Sequence, residues 1–296
     1  MRKMGDRNPK LVAITAAMAE GAGLKRFRNM FPDRFFDVGI AEEHAVTFAA
    51  GLALGGNIPV FAVYSSFLQR CYDQIVEDVC LQKAHVVFAI DRAGIVGSDG
   101  STHQGIFDVS FLTSIPNMTV MAPKNKWELS DMLKFAIDFD GPIAIRYPRG
   151  EAYCGLHEFR KPIELGESEM IYEGSRVLLY PFGSMVKRAE EVVDLLKEQG
   201  VEAGLCNARF AKPLDYDYLS KAAAKYDIIV TMEENVLTGG FGQQVENYLS
   251  ENGFSGKVVK IAVPDKFIQH GSVTKLFELL EMDSKSICKK VLEELG

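Results

Sequence analysis

The chain has 296 residues, 47% of them hydrophobic and 25% charged, with 26 glycines and 11 prolines, so it is not a collagen, a coiled coil or a disordered chain. Lysine plus arginine number 33 against 40 acids, and the net charge of −7 argues against non-specific nucleic-acid binding or attachment to an acidic membrane. The length suits one large domain or two ordinary ones.

In chain order, Met1 to Arg7 reads as the last turns of a helix. So abrupt an opening suggests a fragment or one subunit of something larger. Strands are expected at Leu11–Thr15, Phe35–Val38, Val60–Tyr64, His85–Ile90, Met118–Ala122 and Ile143–Arg146. Several are apolar on consecutive residues, as in parallel strands covered on both faces. Phe67 to Cys80 has apolar pairs at helical spacing and a polar opposite face, which predicts one amphipathic helix. A second helix is expected from Lys126 to Phe139, capped by Asn125 with Glu128 three residues on. From Gly150 to Gly174 the periodicity is lost and the stretch reads as a connector.

The alternation then resumes: strand Val177–Tyr180, helix Val186–Gln199, strand Ala203–Asn207, helix Tyr216–Tyr226 and strand Ile228–Met232. A helix opening near Gly242, strand Lys257–Val263 and helices from Thr274 and Ser284 complete it. This predicts an α/β protein of two doubly wound domains, 1–160 and 161–296. No apolar run approaches the roughly 18 residues of a membrane span, and no apolar signal-peptide core follows the charged N-terminus. The cysteines (Cys71, Cys80, Cys154, Cys206, Cys288) are widely spaced and odd in number. They fit neither a disulfide framework nor a zinc site, so a cytoplasmic protein with no metal site is expected.

Three strand-to-helix junctions hold residues suited to chemistry. After Phe36–Val38, Glu42 and Glu43 open a helix that is apolar nearly all round and is expected to be buried. They either complement the helix dipole or, if desolvated, provide a proton-transfer group. The loop Asp91 to Gly105 follows a strand and combines four glycines with Arg92, Asp99 and His103: an anion binder, a carboxylate and an acid–base group. It is not a GxGxxG loop, and no Walker-type lysine follows it. Tyr64, Phe67 and Arg70 lie at another junction. Arg146 and Arg149 flank Pro148 at a strand end, where either suits a phosphate or a neighbouring carboxylate. In the second half, Glu233–Glu234–Asn235 before Gly239–Gly242 has the shape of a weak anion site. His85, His157 and His270 read as ordinary structural or surface histidines.

The stretches FFDVGIAEEHAVTFAAGLALGG, VYSSFLQRCYDQIVEDV, FAIDRAGIVGSDGSTHQGIFD and IRYPRG resemble, in order and spacing, the 1-deoxy-D-xylulose-5-phosphate synthase family, thiamine-diphosphate enzymes of the transketolase group. The resemblance implies a pyrimidine-binding transketolase-like domain followed by a smaller transketolase C-terminal domain. It makes Glu42 the catalytic acid on N1′ of the cofactor's aminopyrimidine, favouring the imino tautomer that takes the thiazolium C2 proton. Phe67 would stack on the pyrimidine, and His103 would act near the substrate hydroxyls. Tyr64, Arg70, Arg92, Asp99 and Arg149 would line the site of the acceptor and its phosphate. The implied reaction joins pyruvate to glyceraldehyde 3-phosphate with loss of CO2, giving a precursor of isoprenoids, thiamine and pyridoxal.

The family also binds Mg2+ and the diphosphate through a Gly-Asp-Gly motif, and none occurs here. The chain is therefore expected to hold the pyrimidine half of the site, to need a diphosphate-binding domain or subunit, to be inactive alone and to self-associate, as family members form dimers. Two other readings stand beside this one: a subunit of a two-chain transketolase or of a 2-oxoacid dehydrogenase, and a non-catalytic partner-binding module.

Overall fold

In the computed structural model, which describes residues 1–296, the alternating pattern becomes a two-domain α/β fold with two largely parallel sheets. The strands are β1 Leu11–Thr15, β2 Phe35–Asp37, β3 Ile58–Tyr64, β4 Val87–Asp91, β5 Thr119–Met121, β6 Ile143–Arg146, β7 Glu169–Tyr172, β8 Val177–Pro181, β9 Ala203–Asn207, β10 Phe210–Lys212, β11 Ile228–Val236 and β12 Lys257–Val263. The first sheet runs β10-β5-β6-β4-β3-β1-β2, the second β12-β11-β8-β9-β7. All pairings are parallel except β10 on β5 and β7 on β9. β1 and β6 are buried along their whole length, which is why their sequences are apolar without alternation.

The two halves are tightly joined. β10 comes from the second half yet forms the edge of the first sheet. One apolar cluster runs from Ile14, Phe61 and Phe88 through Val120 to Tyr180, Phe182 and Phe241. Beside it lies a closed ionic network with every member buried. Lys124 binds Glu128 at 3.1 Å and also Glu169; Arg209 binds the same two carboxylates at 2.8 and 2.9 Å. Two cations and two anions cancel, and Asn207 Nδ2 donates to both Glu128 oxygens. Such a set holds only when complete, because one unpaired buried charge costs about 3–5 kcal/mol.

Several local expectations change. Phe67 to Cys80 is not one regular helix: it runs as short α and 3-10 turns, Ser65–Leu68, Gln69–Cys71 and Tyr72–Gln74, and then a π-helical stretch Ile75–Cys80. The changes of pitch keep Leu68, Cys71, Ile75, Val79 and Cys80 in the core while Arg70 points outward, and π turns of this kind concentrate at functional sites. Helix Glu42–Leu54 buries only one face, through Ala45, Val46, Ala49 and Ala50, whereas Leu54 is 60% exposed. An apolar sequence all round did not bury it, because nothing within this chain covers its outer face. Asn125 caps helix Lys126–Asp138 by accepting from Trp127 N and Glu128 N. Glu128 does not return to the cap; it accepts from Lys124 N and serves the ionic network. The connector conceals β7, too short and too irregular in register to show a period. All five cysteines are free thiols, and no helix is long and apolar enough to cross a membrane.

Candidate active site

The candidate residues gather where the strands of the first sheet end. Glu42 is the first residue of its helix, follows the loop after β2, and is 2% exposed. Its helix has no side-chain cap, and its carboxylate accepts one hydrogen bond, from Arg70 Nη1 at 2.5 Å. Arg70 is 45% exposed. Its guanidinium carbon also lies 4.9 Å from the centre of the Phe67 ring, close enough for a cation–π contact. Arg70 thereby bridges Glu42 and Phe67. Glu43, beside it, points to solvent.

Phe67 belongs to a chain of π contacts. Tyr64, buried at the end of β3, stacks on it with ring centres 5.5 Å apart and planes at 22°. The His103 ring meets it edge-on at 5.3 Å, while its Nδ1 pairs with the Thr102 hydroxyl at 2.9 Å. Arg92 sits over the Tyr64 ring at 4.0 Å. Burial raises the Tyr64 hydroxyl above its ordinary range, so it stays a neutral phenol.

The arginines share one carboxylate. Asp99 pairs with Arg149 and lies 3.7 Å from Arg92 Nε. Arg149 is 40% exposed and retains donors for an incoming anion. Arg146 is fully committed instead: it is buried and makes a two-point contact with Asp108 at 2.7 and 3.2 Å. A cavity of about 440 Å³ opens beside Arg92 and Arg149, lined also by Asp91, Lys126 and Lys187. Burial lifts the Asp91 carboxyl above its usual range. Neither Glu42 nor Phe67 lines that cavity; their side of the site opens instead at a surface where Ile40 is 80% exposed.

The loop bearing Arg92, Asp99 and His103 is closed at its neck. Gly94 and Gly105 exchange backbone hydrogen bonds at 2.6 and 2.8 Å. At Gly94 the backbone takes φ +85, a conformation that only glycine adopts readily. The glycine loop of the second half behaves differently from its expectation. Glu233 itself accepts from Phe241 N and Gly242 N at 2.8 and 2.7 Å. The first amides of helix Phe241–Glu251 are therefore already occupied by the Glu233 carboxyl, which leaves no room for a ligand. His85 bonds the Ala136 carbonyl at 2.8 Å. Asp91, Lys126 and Lys187 also reach the cavity without having stood out in the sequence, and Glu234, read there as part of a weak anion site, binds the loop instead.

The fold and site define a class. The family model for the transketolase pyrimidine-binding domain matches residues 1–153, and that for the transketolase C-terminal domain matches residues 166–287. The chain belongs to the transketolase family. Within it, the chain is 54% identical over 287 residues to the 1-deoxy-D-xylulose-5-phosphate synthase of Lachnoclostridium phytofermentans, covering 97% of this chain and 46% of that protein. It is 49% identical over 295 residues to the synthase of the same name from Caldanaerobacter subterraneus, covering 99% and 47%. The chain thus spans about half the length of the curated relatives it matches. Among solved structures it is similar to a split-gene transketolase described as an inactive beta4 tetramer, with TM-score 0.89 and 29% identity over 99% of this chain and 94% of that one. Pichia stipitis transketolase bound to sedoheptulose 7-phosphate shares the fold, with TM-score 0.78 and 17% identity over 99% and 44%.

Proposed function

We propose that the chain is the aminopyrimidine-binding and acceptor-binding part of a thiamine-diphosphate transferase that joins pyruvate to glyceraldehyde 3-phosphate, releasing CO2 and forming 1-deoxy-D-xylulose 5-phosphate. The observation that carries it is that one guanidinium, that of Arg70, joins buried Glu42 to the face of Phe67. Arg70 supplies the test of fit: a planar group bearing N–H donors already bonds Glu42 while lying over Phe67. An aminopyrimidine offers the same combination of a flat ring and edge nitrogens. When bound, thiamine diphosphate supplies the electron sink that lets pyruvate lose CO2 and its two-carbon unit pass to an aldehyde.

The chain's own residues do the rest. Glu42 gives and takes a proton at the ring nitrogen. For this, Arg70 must withdraw from Glu42. Phe67 fixes the ring plane, and Tyr64 backs it. Arg92 and Arg149 receive the acceptor's phosphate in place of Asp99, two guanidinium forks suited to one anion. His103, held by Thr102, faces the substrate hydroxyls. The diphosphate and Mg2+ would be bound by another domain or subunit, packed on the open side marked by Ile40 and Leu54; a homo-oligomer in the cytoplasm is the setting we infer.

The experiment completes the site with the diphosphate-binding portion of a curated relative, with thiamine diphosphate and Mg2+ present. Pyruvate plus glyceraldehyde 3-phosphate should give product and CO2. Ketol transfer from a sugar phosphate without pyruvate would favour a transketolase instead, and pyruvate turnover indifferent to the phosphorylated acceptor would favour a 2-oxoacid dehydrogenase component. Turnover that survives Glu42→Ala would remove Glu42 from the proton relay.

A further inference from the structure

Every residue given a chemical role above lies in the first half, yet the loop carrying three of them is held by the second. Ile95 N, one residue inside the glycine neck, donates to Glu234 Oε2 at 2.9 Å. The other oxygen, Oε1, accepts from Ser184 Oγ at 2.6 Å. Val96 N donates to Gln104 Oε1, and Gln104 Nε2 donates to the Gln269 carbonyl at 3.1 Å. Val236 N donates to the Ile106 carbonyl at 2.8 Å where the loop returns. Arg146 ties the same place from below, donating to the Glu234 carbonyl at 3.2 Å.

We propose that Glu234 is a positioning residue: its buried carboxylate fixes the glycine loop against the second half and so sets the placement of Arg92, Asp99 and His103. Of these ties, Glu234 alone puts a buried carboxylate on a loop amide, a charge-assisted bond stronger than a neutral one. Its carboxylate is fully used, with one oxygen for each half of the molecule, so moving either half moves the loop. Glu233 makes the anchor rigid by locking the adjoining helix N-terminus. The inference rests on reading this loop as the acceptor-binding loop.

The test compares Glu234→Ala, Glu234→Asp and Glu234→Gln. In the chain as it stands, backbone amide exchange is followed at Ile95, Val96 and the rest of the loop. Val109, whose amide is held by Asn235 Oδ1, and the β11 amides serve as internal controls. Glu234→Ala, and Glu234→Asp whose shorter side chain cannot span the gap, should speed loop exchange at least about tenfold and leave the controls unchanged. Glu234→Gln keeps an acceptor for Ile95 and a donor that Ser184 can accept, so it should restore protection to within about threefold. Unchanged loop exchange, or equal acceleration at Val109 and β11, would overturn the proposal, the second because the whole junction would then be opening. In the completed enzyme, Glu234→Ala should raise KM for glyceraldehyde 3-phosphate about tenfold with kcat and the pyruvate KM within about threefold. A loop that loosens without moving the acceptor KM would overturn the acceptor assignment and the positioning role with it, while the anchor itself would stand.

Discussion

Two of the buried glutamates at helix N-termini in this molecule, Glu233 and Glu42, do opposite things. Glu233 is enclosed in the second half, and both oxygens of its carboxyl accept from backbone amides of the following helix. Glu42 is equally buried, starts a helix of its own, and leaves the helix amides alone. Its single hydrogen bond goes to a half-exposed arginine that can swing away, beside an aromatic face and an open surface. Burial is common to both, so burial does not mark the chemical residue. What marks it is an acceptor still available to a ligand and a route by which the ligand arrives.

The largest effect expected from that contrast is on turnover. Glu42→Gln in the completed enzyme should cost about 10²- to 10⁴-fold in kcat, the usual range for losing a positioned acid–base group, with the melting temperature nearly unchanged. Glu233→Gln should leave kcat within a few-fold. If the two variants lost activity alike, the distinction would collapse.

Next in size is stability at the junction. Arg146→Ala strands buried Asp108 and should cost about 3–5 kcal/mol in urea unfolding. Arg149→Ala removes a partly exposed partner of Asp99, and such pairs contribute about 0–1 kcal/mol. Its effect should appear as a raised acceptor KM. A reversal of these two results would place the phosphate site on the wrong arginine.

A pH series sharpens the comparison further. Burial pushes the Glu233 carboxyl up to about 8, from an ordinary value of 4.5. Between those values the folded chain keeps a proton that the unfolded chain has released. Stability contributed by this residue therefore falls as pH rises from about 4.5 to 8. Glu233→Gln should flatten that part of the curve in thermal melts across the range, and an unchanged slope would show that Glu233 does not hold the proton.

Much of this was legible from sequence because it is local. The apolar strands, the Asn125 cap and the clustering of Glu42, Tyr64, Phe67, Arg92 and Asp99 at strand ends follow from periodicity and from the rule that open parallel sheets bind ligands at their carboxyl edge. What escaped depends on partners far along the chain. Glu234 meets Ile95 across 139 positions, and Glu128 meets Arg209 across 81. No spacing encodes such contacts, so the acids before Gly239 read as an anion loop and Glu128 as a simple cap. The contacts of Arg70 were hidden for a related reason: the broken helical turns after Tyr64 set its direction, and a regular amphipathic pattern conceals changes of pitch.

We propose, above all, that this chain holds half of a thiamine-diphosphate site. The most direct measurement is CO2 release from pyruvate in the presence of glyceraldehyde 3-phosphate, thiamine diphosphate and Mg2+, first with the purified chain alone and then with a diphosphate-binding half added. Background rates are expected for the chain alone, and turnover should appear with the added half and vanish with Glu42→Gln. Appreciable turnover by the 296-residue chain alone would contradict it.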